Sequence, residues 1–191
     1  MSEYYIIMRA NNNNHPLLGW RQESGMFYRD EPVEIDEPVR LGIGKPVPKN
    51  PVMADYHSLP ESVVSEKIKN VLEPMNIEGI QLVPAVVEGV KKGESYDYWL
   101  LHIYSCISCM DREKSTYKIS KSGTSISIEK LVVDEAVMKE IPLEKRLVFE
   151  LEEGASLFLV HKSVRDAVMA VNPVGVEFID VDEWGIGSSF G

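Results

Sequence analysis

Apolar positions recur with a helical period in two places, and the two places match. Residues 65–83 and 161–179 align without a gap at an offset of 96. In the first, Ile68, Val71, Leu72 and Met75 share one helical face, and in the second Val164, Ala167, Val168 and Val171 take the same places. This is the i, i+3, i+4, i+7 spacing of an amphipathic helix. Asn76 and Asn172, with Pro74 and Pro173 close by, end the two helices, and Gly79 and Gly175 then open predicted strands at 80–87 and 176–181. Ser65 is a good N-cap for the first helix, whereas His161 is a poorer one for the second. Two helix-strand repeat units are expected.

The rest of the chain reads mostly as strands. Tyr4 to Met8 is aromatic and β-branched, and the Asn11–Asn14 run before Pro16 is a turn. Residues 146–151 and 156–160 form two strands around Glu152-Glu153-Gly154. The apolar, aromatic run 96–106 predicts a buried strand, and 114–120 with 124–133 predict a hairpin around Ser122-Gly123. Asp134 caps a short helix that carries Val137 and Met138 and stops before Pro142. Prolines at 32, 38, 46, 48 and 51 leave 30–51 irregular, with 34–41 as its best extended piece. No shift in composition marks a linker. The pattern predicts one α+β domain over 1–191, with a mixed, mainly antiparallel sheet, few short helices and a flexible Gly/Ser tail at 185–191.

Composition narrows the function classes. A chain of 191 residues can bury roughly 70% of its unfolded surface, enough for a core without staples. The longest uncharged apolar stretch, 98–110, falls short of the roughly 18 residues a membrane span needs. Glu3 stands where a secretory signal would be basic, so a cytoplasmic protein is expected. Twenty basic against 30 acidic residues give a net charge of −10. That field repels nucleic acid and anionic membranes and suits a basic protein partner.

Candidate chemistry is thin. Cys106 and Cys109 have the spacing of half a zinc site, but no second pair exists, and a straight strand would point them to opposite faces. They are expected to be inert thiols, with no metal and no cofactor. The four histidines show no i, i+4 pair, and no Gly-x-Ser-x-Gly elbow accompanies them. Gly42-Ile-Gly44-Lys45-Pro46 has proline where a phosphate loop needs a hydroxyl, and reads as a surface loop. No catalytic residue is expected. The alternative is a small cytoplasmic enzyme that gathers His102 or His57 with a carboxylate and a nucleophile.

Acidic residues cluster twice. Asp180, Asp182 and Glu183 run directly into Trp184, which is how a steered and anchored protein contact is built. Asp30, Glu31, Glu34, Asp36 and Glu37 form the alternative patch. Leu147-Val-Phe-Glu-Leu-Glu-Glu153, Leu157-Phe-Leu-Val160, Val164-Arg-Asp-Ala-Val168 and Gly175-Val-Glu-Phe178 complete the pattern. In these segments the chain resembles the immunity proteins of bacterial polymorphic toxin systems, well over 134–182 and more loosely over 65–87. His161 departs from the serine expected at that helix start. The resemblance implies a non-enzymatic cytoplasmic protein that occludes the C-terminal domain of a cognate toxin, sparing the producing cell and its kin. It leaves a homo-oligomer open.

Overall fold

The structure is a computed structural model in which residues 3–121, 123 and 126–185 are described. In chain order come β1 (Tyr4–Arg9), β2 (Leu18–Trp20), β3 (Val39–Ile43), β4 (Tyr56–His57), β5 (Val63–Val64), α1 (Glu66–Leu72), β6 (Ile80–Glu88) and β7 (Ser95–Ile103). Then follow β8 (Cys106–Ile107), β9 (Thr116–Ile119), β10 (Ile126–Lys130), α2 (Glu135–Glu140), β11 (Val148–Leu151), β12 (Phe158–His161), α3 (Lys162–Ala170) and β13 (Val176–Asp180). A six-stranded sheet has the order β2-β3-β6-β7-β5-β4, a five-stranded sheet the order β13-β1-β12-β11-β8, and β9 with β10 makes a hairpin. Most pairings are antiparallel; β3 with β6 and β8 with β11 are parallel. The fold is α+β with mixed, mostly antiparallel sheets and few short helices, as the apolar pattern predicts.

Both helices cross between two strands that flank a third. β5 and β6 lie on either side of β7, and Val63 and Val83 both oppose Leu100. β12 and β13 lie on either side of β1, and Leu159 and Ile179, each 96 residues further on, both oppose Ile6. Ile68 and Leu72 of α1 join Val164 and Val168 of α3 in one buried cluster with residues of both sheets. Each fully buried aliphatic side chain of this kind contributes roughly 1.5–3 kcal/mol. Val171, expected on the buried face, is exposed. Asn76 and Asn172 end the helical segments in the left-handed region at φ 47° and 48°. Gly79 and Gly175 follow at φ 86° and 82°, where an added Cβ would collide with Ser105 and Ala54.

The caps are the reverse of the sequence expectation. Ser65 makes no cap bond, and its hydroxyl donates instead to Asp55 at 2.6 Å. His161 does cap α3: its Nδ1 accepts from the Ser163 N–H at 3.2 Å. The proline-rich segment also differs from expectation. Val39–Ile43 is a strand beside β6 with Leu41 fully buried, starting just after Pro38, where the missing N–H disturbs no ladder. Gly42 and Ile43 therefore belong to a strand rather than to a surface loop. Ser122 and residues 186–191 of the expected tail lie outside the described residues, and Gly185 is bridged to Lys130.

Candidate partner-binding surface

The end of β13 sets the C-terminal acidic patch. Asp180 pairs with Tyr5 and its carboxylate accepts from the Asp182 N–H at 2.9 Å, while the Glu183 and Trp184 N–H groups return to the Asp180 carbonyl. This turn buries Val181, exposes Asp182 and Glu183 and leaves Asp180 half-buried. Trp184 does not project. Its ring is 7% exposed and packs with Leu131, Phe149 and Leu159, yet its Nε1–H has no acceptor among the described residues. A buried donor left so costs about 1–3 kcal/mol.

Two clefts meet at this turn. Asp182 stands at the rim of a cleft of about 400 Å³ with Glu3, Glu135 and Arg146. There Arg146 donates to the Ile141 carbonyl at 2.8 Å and to the Tyr4 hydroxyl at 2.5 Å. Burial raises the Tyr4 hydroxyl above its ordinary range, against the pull of Arg146. Trp184 lines the second cleft, of about 830 Å³, which runs between β1, β10 and residues 154–157 and also takes in Leu59 and Glu177.

The other acidic patch sits on irregular chain. Asp30, Glu31, Glu34, Asp36 and Glu37 are all exposed, and Glu31 pairs with Arg29 at 3.3 Å. Asp30 borders a third cleft, of about 220 Å³, together with Phe27, His102, Glu61 and Glu150. Burial, with the Glu150 charge adding to it, pushes the Glu61 carboxyl up to about 7. Sequence reasoning missed Glu61 and Glu150. Glu150 was legible as a polar position within an apolar strand, but a lone acid after Pro60 carries no signal.

The candidate catalytic histidines are tied to main chain. His57 is 1% exposed, with Nδ1 bonded to the Pro16 carbonyl at 3.1 Å and Nε2 accepting from the Ala54 N–H at 3.3 Å. Burial lowers its pKa to about 4. His102 bonds the Glu31 carbonyl through Nε2 at 2.8 Å, and no hydrogen bond joins it to Glu61 or Glu150 among the described residues. Cys106 is exposed and Cys109 buried; burial, with nearby carboxylates, pushes their thiols up to about 11 and about 12, so both remain protonated at neutral pH. Among the described residues no three His, Cys, Asp or Glu side chains gather to hold a metal, and no helix is long and apolar enough to cross a membrane.

A family model described as an immunity protein family (Imm11) matches residues 3–183. The match spans nearly the whole chain, and the chain belongs to this immunity protein family. No curated protein matches the sequence.

Proposed function

We propose that this immunity protein binds the C-terminal domain of a cognate, basic toxin in the cytoplasm and neutralises it by occlusion, without chemistry of its own. The observation that carries the reading, given the family, is the turn at 180–184. It brings Asp182 to the rim of one cleft and buried Trp184 to the wall of another, with Asp180 and Glu183 adjoining them in the same turn. Carboxylates around a concave surface steer a basic partner toward it, and the concavity supplies the area that slows dissociation. The buried Trp184 ring gives the patch a rigid floor. The patch at Asp30, Glu31, Glu34, Asp36 and Glu37 is the alternative contact, with Glu61 and Glu150 as the acidic lining beside it. A non-enzymatic role is supported by the histidines, since Nδ1 of His57 and Nε2 of His102 are both engaged by main-chain carbonyls.

Co-expression tests this. Cells carrying the toxin gene adjacent to this one should survive only when the protein is present, and the two chains should co-purify. Neither survival nor a complex would end the immunity reading. Survival with substrate turnover in place of a stable complex would favour the enzyme.

A further inference from the structure

Among the described residues the two sheets leave the same stretch of their central strands without a strand on one side, and the clefts beside these stretches differ in size. β13 pairs with β1 as far as Arg9, but the β12 register ends at Ile6 opposite Leu159. Alternate residues of a strand address opposite neighbours. Ala10 N–H donates to the Gly175 carbonyl and Val181 N–H to the Tyr4 carbonyl, so even-numbered residues of β1 bond β13. Lys162 N–H donates to the Glu3 carbonyl, so odd-numbered ones face β12. The Arg9 N–H and C=O therefore point past the end of β12, toward the cleft of about 830 Å³ that Arg9 lines. On β7 the equivalent residue is Ile103, three positions beyond Leu100 as Arg9 is three beyond Ile6. There Phe27 stands edge-on to His102 at 6.0 Å and His102 bonds the Glu31 carbonyl, so residues 27–31 pack on the sheet face next to Ile103, and the cleft that Ile103 lines is only about 220 Å³.

We propose, resting on the immunity reading above, that the open edge of β1 receives an extended segment of the toxin as an added strand. Three observations converge on a polypeptide. Among the described residues the Arg9 N–H and C=O meet no strand partner, and another strand matches such an edge donor and acceptor. Trp184 lines the same cleft with a buried indole donor that lacks an acceptor among the described residues, and a carbonyl of the incoming chain supplies one. Leu59, 46% exposed, and Leu157 give apolar contact for alternate side chains, while Glu177 at the same cleft suits a basic one. Natural sheets cover such edges unless they are used, and residues 27–31 narrow the space next to the other one here.

The test uses the full-length protein labelled with ¹⁵N and the unlabelled toxin domain from co-expression. On binding, exchange of the Arg9 amide should slow by roughly tenfold or more and the Trp184 indole resonance should shift, with the Ile103 amide unchanged. Arg9→Pro removes the edge N–H at a position where proline spares the β13 ladder, and should weaken the complex by roughly tenfold. Trp184→Phe keeps a ring and removes the donor, and should weaken it several-fold. A complex in which the Arg9 and Trp184 signals stay as in the free protein, and in which both variants bind like wild type, would overturn strand addition and leave immunity standing. Failure of the wild-type protein to bind the toxin domain would instead remove the immunity reading, and this proposal with it. If Arg9→Pro fails to fold, the amide exchange and Trp184→Phe decide.

Discussion

The edge of β7 and the edge of β1 start from the same local plan and end differently. Each central strand is flanked by two strands joined through a helix, with registers that coincide at an offset of 96. Beside β7, the turn at Gly25–Tyr28 brings in Phe27, 4% exposed and stacked on Trp20 at 5.2 Å, and only a small cleft is left next to the edge. Beside β1, the neighbours are β10 and residues 154–157, and a cleft nearly four times larger stays open. The difference lies outside the shared plan, in what the connecting segments do. Edges are liabilities that proteins cover, so an edge left open next to exposed carboxylates is where a partner is expected.

The largest effect is expected from removing the ring that fills the space next to β7. Phe27→Ala should cost about 3–5 kcal/mol of stability in urea denaturation, because a large buried ring leaves a cavity. The folded fraction should still bind the toxin as wild type does.

Glu61 comes next, through pH. In the folded protein it keeps its proton up to about pH 7, against an ordinary value of 4.5, so between these values the folded state binds more protons and stability falls as pH rises. His57 acts oppositely: with a folded pKa of about 4 against 6.5, the unfolded state binds more protons and stability rises across that window. The two slopes offset each other between 4.5 and 6.5. Glu61→Gln removes one of them, so the variant should gain on wild type as pH rises from 4.5 to 7, reaching about 1–3 kcal/mol in denaturation at pH 8. A difference that does not change with pH would mean that Glu61 is not held protonated.

The acidic patches can be ranked by kinetics. Reversing Asp182 and Glu183 to Lys should slow toxin association by roughly tenfold at low salt and far less at high salt. The same reversal at Asp30 and Glu31 should do less, which stopped-flow association rates will show. The smallest effect belongs to the helix start. His161→Ala should cost about 0.5–1 kcal/mol in thermal or urea unfolding, since one N–H of α3 loses its acceptor.

Much of the fold was legible because burial imposes a period. The apolar faces of α1 and α3, the long strands β6 and β7 and the α+β class all follow from spacing alone. Short strands were not: β4 and β5 have two residues each, too few to show alternation, and they hold their places through the neighbours they pair with. The Ser65 cap misled because that side chain is engaged by Asp55, ten residues away in sequence, a contact the local pattern does not show. The acidic residues of the candidate surface were visible in the sequence. The burial of Trp184 was not, nor was the open edge of β1, since both depend on which strands stop where.

Photo-cross-linking compares the two edges most directly. A benzoylphenylalanine placed at Leu59, beside the wider cleft on β1, or at Tyr28, beside the narrower one on β7, occupies a position already exposed, at 46% and 64%. With the toxin domain bound, the probe at 59 should cross-link to it and the probe at 28 should not. Cross-linking from 28 with none from 59 would contradict the assignment of the open β1 edge as the binding site.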